Sequence, residues 1–357
     1  MEWVDAMRGF TMLLVVAHHV LTGGIGLNFK TSCTLPFLVL LRMPLFFFIS
    51  GFLAYRVSEV WDAPQWAKNV WKKVRVQVIP TVVFLAVFVV MRLKGGFWAN
   101  FHATLLMPYK NGYWFTWALL HMFLIYYTFA YLEQKLQHLC RQRIPSWLPI
   151  TLLWVASICW YESNYVPKLY KPSDAEWVRF LSLNQVGLHF CFFVTGNLCR
   201  RYWKQVQQLF DTRWFFPFLA CLMVVCAADF LQYHQLRMMW ANLPRTLVTF
   251  SLIGIPLMFF RAYADHFSRQ TRTGRILQYI GTRTLDIYLI HYLFMPSLPL
   301  LLPFFKQHPG NVTIELLVGI GLAIPVIALC LLTSSVLRTS PLLTKYLFGR
   351  EVKKMKG

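Results

Sequence analysis

Residues 5–20 read DAMRGFTMLLVVAHHV, an apolar run with an arginine at its mouth and two adjacent histidines in its middle. Read as a helix, the stretch puts Arg8 and His19 ~20° apart around the axis and ~16 Å apart along it. The two share a face, Asp5 lies one turn before Arg8 near that face, and His18 points ~100° away from His19. If the helix spans a bilayer, Arg8 stands at headgroup level and His19 near mid-membrane. An ionisable group at that depth is costly and marks function by default. The competing structural account has Arg8 snorkelling to lipid phosphate and His19 satisfying a neighbouring helix by hydrogen bonding.

Composition supports the membrane setting. The chain of 357 residues is 57% hydrophobic, 17% aromatic and only 14% charged, which excludes an ordinary soluble globule. Repeated long apolar runs make it an all-α polytopic membrane protein. The net charge of +21 is distributed in short clusters between apolar spans. That is the pattern of positive-inside topology, and it argues against nucleic acid as a partner. The eight cysteines contain no CxxC, so neither a disulfide framework nor a thiolate metal site is expected, and no other metal constellation stands out. The first apolar run is long and lacks a small-residue cleavage site, so it is expected to remain as the first membrane helix.

About ten spans follow from the apolar runs: 7–27, 35–55, 76–91, 113–132, 147–161, 181–198, 214–231, 246–260, 284–304 and 313–337. The fifth and eighth are short for a bilayer. Basic residues cluster after the even-numbered spans: Arg56, Lys68, Lys72, Lys73 and Arg75; Lys135, Arg141 and Arg143; Arg200, Arg201, Lys204 and Arg213; Arg269, Arg272, Arg275 and Arg283. The tail 338–357 adds Lys345, Arg350, Lys353, Lys354 and Lys356, whereas the intervening loops are less basic or carry Glu162, Asp174 and Glu176. Both termini are therefore expected in the cytoplasm, with residues 1–357 forming one transmembrane domain and the track from Arg8 to His19 opening to the cytosol. The bulkiest outer connections, 92–112 and 162–180, are rich in aromatic residues, Pro and Asn. They read as an interfacial belt or as contacts for a sugar or lipid head.

Residues 62–78 read as a basic interfacial helix entering the third span. Asp62 is its expected N-cap, Pro64 falls in its first turn, and Trp66, Val70, Val74 and Val78 recur every four residues. Lys68, Lys72 and Arg75 share another face. They either attract anionic lipid or form a phosphate-binding cluster in which Arg75 forks onto an oxyanion.

Several stretches together resemble bacterial acyltransferase family 3. Asp5, Arg8 and His19 resemble its D-x-x-R-x10-H opening, and residues 45–53, LFFFISGFL, its FF-x-x-SG-[FY]-[LI] second helix. Lys72 and Arg75 followed by Pro80 are similar to its R-x-x-R…P segment, Tyr113 to Phe115 to the aromatic start of its fourth helix, and residues 281–291, GTRTLDIYLIH, to its G-x-x-S-x-x-IYLxH signature. The matches run in order over most of the chain. Two departures stand out: Lys72 lacks the arginine fork, and Asp286 replaces a residue that is more often neutral. No esterase-like domain is expected after the last helix. The resemblance implies a transferase of the bacterial inner (plasma) membrane, moving an acyl group, typically acetyl, from cytosolic acyl-CoA to a hydroxyl. The implied acceptor is a cell-envelope glycan, a lipid-linked saccharide or a similar molecule. Acyl-CoA is then a co-substrate rather than a bound cofactor, membrane lipids are the remaining partners, and Arg8 and His19 correspond to the residues regarded as essential.

An alcohol attacks a thioester at neutral pH only with a base in the transition state, and histidine has the matching pKa. His19 takes that role, or it receives the acyl group as a transient acyl-imidazole; both readings stay open. No G-x-S-x-G elbow is present, which disfavours a serine triad. Ser50, beside Gly51, serves close helix packing or contacts the acceptor or an oxyanion. Arg8, Lys72 and Arg75 would meet the phosphates of CoA, with Asp5 orienting Arg8. Tyr288 and His291, one turn apart, would face the same cavity. His121, His189 and Asp229, each isolated in its span, read as structural pairing or cavity lining. The competing class is a transporter or flippase of an envelope precursor, which would show paired halves or interrupted helices around a midplane site; no convincing internal repeat is found.

Overall fold

The computed structural model describes residues 1–29, 31–57, 59–140, 143–164, 175–232, 243–308 and 311–349, with the side chains of 226–232 excluded. Arg141, Asp174, Arg350, Lys353, Lys354, Lys356 and the side chain of Asp229 thus lie outside the described residues.

In chain order the helices are α1 (Glu2–His19), α2 (Thr34–Ala54), α3 (Ala63–Lys73), α4 (Ile79–Arg92), α5 (Phe97–Leu106), α6 (Trp114–Leu139), α7 (Leu148–Ser163), α8 (Glu176–Leu181), α9 (Leu183–Gly187), α10 (Phe190–Arg201), α11 (Trp203–Phe210), α12 (Phe215–Gln232), α13 (Leu243–Ala262), α14 (Arg272–Thr282), α15 (Thr284–Ile290), α16 (Leu302–Gln307), α17 (Val312–Leu337) and α18 (Pro341–Phe348). Among the described residues every regular element is helical. Six stretches are long and apolar enough to cross a bilayer: Glu2–Ile25, Thr34–Ala54, Ala63–Arg92, Trp114–Leu139, Leu243–Ala262 and Val312–Leu337. A seventh is reached if α11 and the following Phe215–Val225, which meet at 82°, count as one span.

Two expected continuous spans are interrupted. The segment expected over 284–304 leaves the α-helix after Ile290, passes through a 3-10 turn at His291–Leu293, and becomes helical again only at Pro299. The segment expected over 181–198 is split into α9 and α10, behind a left-handed Ser182 at φ +55°. Apolarity sets where chain can be buried in lipid. It does not guarantee an unbroken ladder when neighbouring protein supplies hydrogen bonds.

The chain divides into two compact units. The first comprises residues 1–49 and 202–334. Its organising contact is the crossing of α1 and α14, where a Cβ on Gly9 would stand 2.0 Å from Leu277 O and one on Gly281 1.8 Å from Asp5 O. Only glycine permits backbones this close. Around the far end of α1, Leu14, Leu21, Ile25, Leu27, Leu35, Leu38 and Phe305 form a buried apolar cluster. Two buried carboxylates are tied down locally: Asp286 accepts from Ser334 Oγ at 2.7 Å, and Glu315 accepts from Ser32 Oγ and, at 3.2 Å, from Thr34 N. The departure at Asp286 thus has a structural partner.

The second unit comprises residues 50–201 and 335–357. Asp62 caps α3 as expected, accepting from Gln65 N at 2.7 Å. Through a π-helical turn at Val74–Val78 the basic helix then runs into α4. Gly51 packs so tightly that a Cβ there would stand 1.8 Å from Phe193 O. Arg201 holds Glu133 through two nearly parallel bonds of 2.7 and 2.6 Å. Lys110 is fully buried, and its Nζ donates to Leu105 O at 2.5 Å and Arg179 O at 2.8 Å.

Candidate active site

The crossing at Gly9 and Gly281 sets what meets across it. Arg8, one residue before Gly9, reaches Thr284, three residues beyond Gly281, and donates from Nη2 to its hydroxyl at 3.1 Å. Its Nη1 lies 3.4 Å from Asp5 Oδ1, a long, partly exposed pair that orients the guanidinium more than it stabilises the fold. Asp5 and Arg8 are therefore brought together as the spacing implied.

At the other end of α1, His19 is the last α-helical residue before a π-helical turn, Val20–Ile25, which ends at the left-handed Gly26 (φ +88°). The wider turn changes which faces the following residues present, and such bulges recur at functional sites. The broken segment after α15 meets this turn, with Leu298 N donating to Gly24 O at 2.8 Å. Non-helical backbone at membrane depth is tolerated where protein buries it or it lines a cavity.

His291 and Tyr292 sit at the start of that break. The His19 ring lies 5.3 Å from the His291 ring and 5.1 Å from that of Tyr292, and His19 Nε2 is 3.1 Å from the Tyr292 hydroxyl. His291 is fully buried, with Nδ1 2.8 Å from Tyr288 O and 3.1 Å from Ile287 O. Carbonyl oxygens only accept, so Nδ1 carries the proton and the neutral ring keeps its lone pair on Nε2. That Nε2 is buried with no hydrogen-bond partner. His18, 6% exposed, likewise has Nδ1 buried and unpartnered, its ring edge-on to His19 at 5.4 Å.

Arg42 on α2 completes this neighbourhood. It follows Leu35 and Leu38 on nearly the same helical arc, ~20° and ~40° away, and both leucines pack with Leu14, Leu21 and Ile25. Arg42 lies within electrostatic reach of His18, His19, His291 and Tyr292. The first unit thus assembles Asp5 and Arg8 at one end of α1 and His19, His291 and Tyr292 at the other. Tyr288 is adjacent, its ring 6.0 Å from that of His291. Sequence reasoning does not single out Thr284, Tyr292 or Arg42. Arg42 did carry a signal, a lone cation inside LLRMPLFFF.

The other expected residues belong to the second unit. Lys72 is exposed, and Arg75 is half-buried inside the π-helical turn. Between them Lys73 Nζ sits 3.3 Å over the Phe123 ring. Ser50 precedes the close-packed Gly51. His121 and His189 each bond a carbonyl one turn back, Trp117 O at 2.8 Å and Gln185 O at 2.9 Å. Among the described residues no group of His, Cys, Asp or Glu is arranged to hold a metal ion.

The family model described as an acyltransferase domain matches residues 1–335, which takes in α1, the break at His291 and the basic α3 segment. The chain belongs to acyltransferase family 3. No curated protein and no solved structure matches it. Two imidazoles with a phenol between helices, as this acyltransferase assembles them, suit the movement of a proton to and from a reacting hydroxyl. The acyltransferase also keeps an arginine at the mouth of the same helix, where it suits an anionic group.

Proposed function

We propose that this membrane acyltransferase moves an acyl group, acetyl, from cytosolic acyl-CoA to a hydroxyl of a cell-envelope glycan, a lipid-linked saccharide or a similar acceptor. The observation that supports it best is the His19 imidazole, hydrogen-bonded at 3.1 Å to Tyr292 and flanked by a second buried imidazole. His19 takes the proton of the acceptor hydroxyl as its oxygen attacks the thioester carbonyl, an assistance worth ~10²- to 10⁴-fold in rate. Arg8, Lys72 and Arg75 bind the phosphates of CoA, Asp5 orients Arg8, and Ser50, Tyr288 and His291 contact the acceptor. The protein works in the bacterial inner membrane as one domain with ten spans and both termini in the cytoplasm, so that the donor enters from the cytosol at Arg8.

The test uses inverted membrane vesicles supplied with radiolabelled acetyl-CoA. Wild type is expected to label envelope material, and His19→Ala to label none while inserting normally. Neutralising Lys72 or Arg75 is expected to raise KM for acetyl-CoA more than it lowers turnover. Equal labelling by His19→Ala would reject the role of His19, whereas protein-dependent flux of an envelope precursor with no labelling by wild type would reject acyl transfer in favour of transport.

A further inference from the structure

A permanent cation beside imidazoles and a phenol is an expensive arrangement at membrane depth, and a packing role does not need it. Arg42 is such a cation. Its helical arc is the one that packs against α1 through Leu35 and Leu38, beside the turn that carries His18 and His19, and its charge lies within electrostatic range of the four polar rings of the cluster. At the same place two imidazole nitrogens, His18 Nδ1 and His291 Nε2, are buried without partners. Buried polar atoms left this way call for a ligand's groups or ordered water to complete them. The site therefore combines a positive charge with unfilled hydrogen-bonding capacity around His19.

We propose that Arg42 is a further catalytic residue, its guanidinium stabilising the oxyanion that forms on the acyl carbonyl when the acceptor hydroxyl attacks. This rests on the acyl-transfer function proposed above. His19 removes the hydroxyl proton as the C–O bond forms, and the carbonyl π-electrons move onto oxygen, creating a negative charge that neither reactant carried at that atom. Arg42 meets that charge with planar N–H donors. As the tetrahedral intermediate collapses, the carbonyl re-forms, the C–S bond breaks, and the CoA sulfur leaves with the electron pair and takes the proton from His19. A donor fixed in place before the reaction is worth most in a site that excludes water, because nothing has to reorganise when the charge appears. Arginine suits the role better than lysine, since its fork presents two donors to one anion and its charge is permanent.

Arg42→Met, Arg42→Lys and Arg42→Ala are compared in the labelled acetyl-CoA vesicle assay, with wild type and His19→Ala as references. Arg42→Met is expected to lower kcat by about 10²- to 10³-fold with little change in KM for acetyl-CoA. Arg42→Lys should lose less. Added guanidinium chloride should restore part of the activity of Arg42→Ala, a rescue that a purely structural role would not give. A kcat for Arg42→Met within a few-fold of wild type overturns the proposal. So does a loss confined to KM, or an inactive Arg42→Ala that guanidinium leaves inactive while Arg42→Lys unfolds at a lowered temperature. If wild type itself transfers no label, the acyl-transfer function fails; if wild type is active, His19→Ala is dead and the Arg42 variants are active, only the role of Arg42 fails.

Discussion

At the scale of single residues, the neighbouring histidines of α1 meet different surroundings. His19 bonds Tyr292, whereas His18 is buried with an idle Nδ1. His19→Gln keeps a hydrogen-bonding side chain and removes the titratable base, so acetyl transfer should fall by ~10²-fold or more. His18→Ala should lose far less in the same vesicles. A His19→Gln variant of near-normal rate would leave His19 a positioning role. Lys110 makes a second residue-scale case, this one concerning stability. Burial lowers its pKa from 10.5 to about 8, so between these values the unfolded chain holds a proton that the folded chain has released. Stability contributed by Lys110 therefore rises as pH increases through that window and is flat below it. The melting temperature of the detergent-solubilised wild type should gain on that of Lys110→Met between about pH 8 and pH 10. A constant difference would show that the amine titrates at its ordinary value.

At the scale of elements, the crossing of α1 and α14 carries the site. A methyl group on Gly281 would collide with Asp5 O at 1.8 Å, and backbone cannot yield as a flexible side chain can. Gly281→Ala must then push the helices apart, loosening the Arg8–Thr284 contact and the approach of His19 to Tyr292. Gly321, inside α17, has nothing within 4 Å of the position a Cβ would take. Gly321→Ala should be neutral or stabilising by up to ~1 kcal/mol through helix propensity. Thermal unfolding together with vesicle activity separates the two: Gly281→Ala should lower both, and Gly321→Ala neither. Full activity in Gly281→Ala would mean that the crossing does not set the site's geometry.

At the scale of the whole molecule, the prediction concerns orientation. Basic loops alternate with less basic ones, so reporters fused after Arg56, Arg143, Arg213, Arg275 and Lys356 should report cytoplasm. Those near Lys110, Glu162 and Lys306 should report the opposite side. An opposite-side signal after Lys356 would remove the even number of spans.

The sequence by itself determined that this is a helical membrane protein, because the bilayer imposes span length and the cost of charge locally, on each run in turn. It also determined the Asp62 cap and the common face of Asp5, Arg8 and His19, both consequences of one helix's geometry. Its family motifs marked both ends of the crossing. Only the tertiary structure decided that Arg8 meets Thr284, that His19 meets Tyr292 and His291, and that Arg42 joins them. It likewise decided the break after Ile290 and the partners of Asp286 and Glu315. The meeting of Arg8 with Thr284 depends on two glycines, distant in the chain, letting α1 and α14 touch backbone to backbone. Helical periodicity fixes which residues share a face, but the polar group opposite that face is set by packing between helices.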